Sequence, residues 1–211
     1  MSPVTRARSR RGQGERLREE ILEAAEGLLL ATGSEDAVSI RAVADAVGVT
    51  PPSIYRHFAD KDMLLLEVCR HSFQRFDTAL EGALAGIVDP RQVMHALGRA
   101  YIRYALDNPE HYRLLFMARY ELSAQEYVEE MVTEGRSFHL LLRVAGELIG
   151  TGTLRPEVAE RGDLHVGLLL WSAVHGLASL LVSKPGLPWP DRDALVDDLL
   201  AMALRGLSLP A

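Results

Sequence analysis

Apolar residues recur at three- and four-residue spacing along almost the whole chain, and no stretch sustains the strict alternation of a half-buried strand. A chain patterned this way has only helix faces to bury, so it must fold by packing helix on helix. Punctuation is strong at Gly33, Gly48, Asp89-Pro90, Asn108-Pro109, 150–152, Arg155-Pro156 and 184–190. The spacing predicts helices over 15–32, 40–47, 51–57, 61–84, 90–107, 109–118, 123–149, 156–183 and 191–207. The expected fold class is all-α, with no internal repeat of solenoid period and no low-complexity tract.

Local signals refine this reading. The first helix places Leu17, Ile21, Ala24, Ala25 and Leu28 on one face and Glu19, Glu23 and Glu26 opposite, and Gly33 suits a helix stop. Ser39 is placed to cap a helix that turns Ile40, Val43, Ala44 and Val47 inward. After the tight turn at Gly48, Thr50 is expected to cap the next helix, with Pro51 at its first position. Asp60 is placed to cap the long helix that starts at Lys61.

The 211 residues, 48% hydrophobic and 25% charged, match an ordinary soluble globular protein and exclude wholesale disorder. A single cysteine, Cys69, excludes an internal disulfide framework. Residues 1–14 carry four arginines and no apolar segment, so they are no secretory signal, and a cytoplasmic protein is expected. The formal charge of −6 is unevenly spread: residues 1–61 balance nine bases against nine acids, and residues 62–211 hold 14 bases and 20 acids. Arg6, Arg8, Arg10, Arg11, Arg16 and Arg18 face only Glu15 over residues 1–18. Such an arm fits a polyanion or an unpartnered solvated tail, and charge alone does not choose.

Residues 164–183 contain no Asp, Glu, Lys or Arg and are long enough to span a bilayer. Two histidines, three serines, two glycines and the absence of a flanking basic cluster favour a buried or interface helix over a membrane span.

Residues 39–57 have the dimensions of a helix-turn-helix, with Ala44, Val47 and Val49 bracing, Gly48 in the turn, and Ile54 and Phe58 inward. Taken bare, that corner occurs in many helical proteins. The string IRAVADAVGVTPPSIYRHFADKDML, residues 40–64, resembles the N-terminal DNA-binding domain of the TetR/AcrR family of bacterial transcriptional regulators. The matching elements are Val43-Ala44, Gly48-Val49-Thr50, Ile54-Tyr55, His57-Phe58, Lys61 and Leu64, and the preceding helix with Gly33 also fits. The resemblance implies a basic arm over 1–14, a DNA-binding domain over 15–61 and a ligand-binding and dimerisation domain over 62–211.

It also implies roles. Tyr55 and Lys61 would contact DNA phosphates, although alone they read as a half-buried aromatic and a solvated lysine. Thr50 would cap its helix and reach a phosphate, and His57 would touch phosphate or pack beside Phe58. Base reading would come from Pro52, Ser53, Arg56 and Arg41, arginine being the commonest direct reader through two donors to guanine.

A second resemblance lies in the run from Asn108 to Phe116 and in Leu170-Trp171-Ser172-Ala173-Val174-His175-Gly176. These are similar to the TetR subgroup named for its Trp-His-Gly signature. The implied C-terminal domain binds a small-molecule effector and pairs its last two helices with those of a second copy, for which Leu195, Leu199 and Met202 supply an apolar stripe. Candidate pocket residues are Phe73, Phe76, Tyr101 and Tyr104, with Tyr112, Phe116, Trp171 and His175; each reads first as ordinary core, and only a subset could line a cavity. The expected partners are a partly palindromic DNA operator, a second copy and an effector, with no membrane.

The competing classes are an α-helical enzyme or metal protein and a protein-binding adaptor. No two of the seven histidines stand three or four residues apart, and no HExxH, ExxH, glycine-rich phosphate loop or serine-nucleophile signature occurs. No catalytic residue, metal or cofactor is therefore expected. An adaptor would lack the steep salt dependence of DNA affinity that a regulator shows.

Overall fold

The computed structural model describes residues 13–33, 35–117 and 135–210. Most of the basic arm, residues 1–12, and the first part of the helix expected over 123–149 lie outside the described residues. The chain is all-α. Among the described residues its α-helices are α1 (Gln13–Thr32), α2 (Ile40–Val47), α3 (Pro51–Ile54), α4 (Lys61–Gly82) and α5 (Pro90–Asp107). They continue with α6 (Pro109–Phe116), α7 (Arg136–Gly150), α8 (Pro156–Ala159), α9 (Gly162–Ser183) and α10 (Arg192–Leu207). The described residues form two compact units, one within Met1–Phe73 and Arg113–Arg119, the other within Gln74–Tyr112 and Tyr120–Ala211.

In the first unit α2 packs on α1 and α3. Ile21, Ala25, Val38, Val43, Ala44, Ile54 and Leu64 are fully buried there. Glu26 departs from the amphipathic pattern: expected on the polar face, it is buried and accepts a 2.5 Å hydrogen bond from Ser72 Oγ of α4. The neighbouring helix covers that side of α1, and a buried carboxylate survives there because a donor meets it.

In the second unit α9 is the central helix, packed against α5, α7, α8 and α10. Its length and composition would suffice to cross a membrane, yet Val166, Gly167, Leu170, Val174, Leu177 and Ala178 face helices of the same unit. It is a bundle helix. The single helix expected over 156–183 is in fact two. Gly162 takes φ +86°, a left-handed conformation that ends one helical run and starts another. Gly98 of α5 marks a close helix approach, since a Cβ there would collide with Leu200 of α10 and stand 3.2 Å from Val174 Cγ1.

Candidate nucleic-acid interface

The geometry of residues 39–61 follows from local chemistry. Ser39 Oγ accepts from the Ala42 amide at 3.1 Å, which caps α2 as its sequence predicts. Gly48 closes α2 at φ +73°, a conformation that costs glycine nothing. Pro51 and Pro52 then occupy the first two positions of α3, where missing amide donors are harmless.

Two expectations are corrected here. Thr50 stands at the cap position but makes no side-chain cap: its carbonyl accepts from the Ser53 amide at 2.8 Å, and its hydroxyl lies 3.2 Å from Ser53 Oγ. Proline at the second position removes one of the two amides a capping hydroxyl could use. The helix expected over 51–57 stops at Ile54, whose carbonyl accepts from both the His57 amide (2.8 Å) and the Phe58 amide (3.0 Å). That shared acceptor turns the chain and buries the Phe58 ring.

The turn leaves a distinct outer surface. Pro51, Pro52, Tyr55 and Arg56 are exposed, Tyr55 to 55%, while Ser53 and His57 are half-buried. Lys61 opens α4, where Asp60 Oδ1 accepts from the Met63 amide at 2.8 Å as its sequence predicts. Electrostatics separates the basic side chains into two sets. Arg16 pairs with Glu20, and Arg18 and Arg70 share Glu67 at 2.5 and 2.9 Å. Burial raises the Glu67 carboxyl, but the hydrogen bonds and charges of Arg70 and Arg18 outweigh it and hold the group below its ordinary value. Arg41, Arg56 and Lys61 meet no carboxylate among the described residues, so an incoming anion would have no carboxylate to displace from them.

Arg18 closes the arginine-rich run of residues 1–18. It is a strut of the fold, its guanidinium 5.2 Å from the Phe58 ring centroid as well as on Glu67. The Arg18–Glu67 pair is 49 residues apart in sequence, and no local signal reveals it.

The eight candidate pocket residues do not form a single set. Phe73 and Phe116 belong to the first unit, with ring centroids 6.1 Å apart. The other six lie in the second unit. There the Phe76 ring meets Tyr101 and Tyr104 edge-on, at 5.4 and 5.1 Å. Tyr101 and Tyr112 place their hydroxyls 2.8 and 3.0 Å from His175 Nδ1, and Trp171 Nε1 donates to the Tyr101 hydroxyl at 3.3 Å. Phe138, which sequence reasoning missed, stands edge-on to Trp171 at 6.3 Å. Burial lowers the His175 imidazole and pushes the Tyr112 phenol up to about 12, against a smaller opposite effect from Tyr101. Both shifts favour the neutral forms of His175 and Tyr112. Among the described residues no cluster of three His, Cys, Asp or Glu could hold a metal ion.

Residues 21–68 match the family model described as bacterial regulatory proteins, tetR family, and residues 94–203 match that of the tetracyclin repressor-like C-terminal domain. The chain belongs to the TetR family. Members of the family are DNA-binding transcription factors and not enzymes, so this chain is a DNA-binding transcriptional regulator. Solved TetR-like structures share the fold along almost its whole length. A Rhodococcus sp. RHA1 protein of unknown function is 27% identical, with TM-score 0.70 over 92% of this chain and 96% of its own. A TetR-family protein from Vibrio parahaemolyticus is 21% identical, with TM-score 0.75 over 92% and 99%. A fatty acid degradation regulator, FadR, from Bacillus halodurans is 18% identical, with TM-score 0.71 over 90% and 98%.

Proposed function

We propose that this TetR-family regulator is a cytoplasmic, homodimeric repressor that leaves a partly palindromic operator when a small molecule binds its C-terminal domain. The observation that carries the dimer is the outer side of α9, a helix without charged residues from 164 to 183, where Leu164, Leu168, Leu169 and Leu180 are exposed. Met202 of α10, 64% exposed, extends that apolar character to the last helix. Pairing α9 and α10 with their copies would cover these side chains under a two-fold axis, and the same axis would set two recognition segments on the two half-sites.

Residues 15–61 bind DNA in this reading, with Tyr55, Lys61, Thr50 and His57 on phosphates and Arg41, Pro52, Ser53 and Arg56 on the base-reading side. That Arg41, Arg56 and Lys61 meet no carboxylate among the described residues supports it. Residues 62–211 bind the effector and the second copy, in the manner of the Trp-His-Gly subgroup. Support for effector contact is the hydrogen-bonded set of Tyr101, Tyr112, Trp171 and His175 among aromatic rings. A ligand acts only through a difference in affinity for two states, and a tenfold loss of operator affinity needs about 1.4 kcal/mol of coupling. The lever is α4, with Lys61 at its start and, near its other end, buried Asp77, which accepts from the Ser137 amide of α7 at 3.0 Å.

Fluorescence anisotropy with DNA from upstream of the protein's own gene tests the reading, at two salt concentrations and against unrelated DNA. Tight, salt-sensitive binding by a dimer, weakened in Tyr55→Phe and Lys61→Ala, is expected. Binding no tighter than to unrelated DNA, both there and across a randomised pool, would refute it.

A further inference from the structure

The outer surface of residues 50–57 is short of directed donors. Pro51 and Pro52 are exposed and bring neither an N–H nor a polar side chain. The Ser53 amide is already bonded to the Thr50 carbonyl at 2.8 Å. The first turn of α3 thus has no amide to offer, and side chains must make every specific contact. Arg56 is the richest of them, with five N–H donors. One of these reaches Ser53 Oγ at 3.2 Å, and Ser53 Oγ lies 3.2 Å from Thr50 Oγ1. Thr50, Ser53 and Arg56 therefore form a hydrogen-bonded strip at three-residue spacing along one edge of the segment.

Counting donors and acceptors separates the roles along that strip. A serine hydroxyl has one proton and two lone pairs. Arg56 and Thr50 occupy two of those three capacities, which leaves Ser53 at most one for DNA. The guanidinium keeps four donors, enough for the O6 and N7 acceptors of a guanine. An arginine already anchored on its own helix also loses less rotamer freedom when it docks.

We propose that Ser53 is a positioning residue that holds the Arg56 guanidinium for one guanine in each half-site and reads no base itself. The proposal rests on the reading of residues 50–57 as the base-reading segment.

The test is selection of duplexes from a randomised pool by the full-length protein, followed by affinities for duplexes with each guanine replaced in turn. For the wild type, replacing the symmetry-related guanine pair read by Arg56 should cost roughly 10–100-fold per contact. Arg56→Ala should be indifferent to the base at that position. Ser53→Ala should lose roughly fivefold of the same discrimination, at that position and no other. Ser53→Thr, which keeps the hydroxyl, should restore it, and Ser53→Ala should have no further effect on base preference in the Arg56→Ala background. Relaxed preference at a different base pair in Ser53→Ala would make Ser53 a reader and overturn the proposal. Unchanged discrimination in Ser53→Ala would overturn it by showing the bond unused. If the pool yields no enriched duplex, the base-reading assignment of the segment fails, and the proposal with it.

Discussion

Gly98 offers a sharp test of the bundle, because two opposing effects meet there and the structure decides which prevails. Alanine is favoured over glycine inside a helix by about 1 kcal/mol. At Gly98, in the middle of α5, the added methyl would collide with Leu200 and press on Val174 Cγ1 at 3.2 Å, and both side chains are buried. Overpacking of that kind costs about 1–3 kcal/mol, so Gly98→Ala should destabilise by up to about 2 kcal/mol. Gly146 of α7 is the internal control, since a Cβ there meets nothing within 4 Å. Gly146→Ala should therefore stabilise by about 0.5–1 kcal/mol. The assay is thermal or urea denaturation at one fixed protein concentration, where about 1 kcal/mol corresponds to a shift of roughly 2–4 °C. Opposite signs are expected for the two substitutions. In a Leu200→Ala background the colliding methyls are gone and only the 3.2 Å approach to Val174 Cγ1 remains, so the cost of Gly98→Ala should shrink sharply there. A Gly98→Ala protein as stable as Gly146→Ala, or a cost that persists unchanged beside Ala at position 200, would refute the close approach of α5 and α10.

Three further outcomes are expected. Lys61→Ala should make the salt dependence of operator affinity shallower by about one unit of log–log slope per half-site, and an unchanged slope would remove Lys61 from the phosphate contacts. Leu169→Glu, which sets a charge on the exposed apolar side of α9, should convert the proposed dimer to monomer in sedimentation and weaken operator binding with it; a variant that stays dimeric would move the interface elsewhere. Because burial depresses the His175 pKa below 6.5, the unfolded chain takes up a proton that the folded protein refuses. Its contribution to stability is therefore complete above about pH 6.5 and is lost as pH falls through the folded value. The thermal midpoint of the wild type should consequently drop more between about pH 7.5 and 5.5 than that of His175→Gln.

What was legible in the sequence was whatever local chemistry decides. Ser39, Gly48, Asp60 and Asp89 set helix ends through bonds to amides or turns within a few residues, and α2 and α5 keep the bounds those residues imply. The pattern of residues 40–64 likewise carried the family, because a short recognition unit needs its glycine, its braces and its anchors at fixed spacing. Long-range partners were invisible. Amphipathic spacing put Glu26 in water, but Ser72, 46 residues on, takes it into the interior. The Tyr101–His175 contact spans 74 residues, so the sequence could name the aromatic residues but not assemble them. The break at Gly162 turned on one backbone angle, and nothing in the periodicity of 156–183 distinguishes a left-handed glycine from a helical one.

The shortness of α3 has a consequence for how such a regulator diversifies. Its single turn is held by Ile54 and Phe58, both buried, while Pro51, Pro52, Tyr55 and Arg56 add little to the core. Surface substitutions away from packed features cost little stability. On the proposed base-reading role of Pro52 and Arg56, the letters that choose an operator are thus separable from those that keep the fold. If 52 and 56 read the operator as proposed, a duplicated copy of the gene could change its target site by one or two exchanges there without first acquiring a stabilising compensation. Exchanges at 54 or 58 would instead be eliminated as misfolded protein before their effect on target choice could be selected.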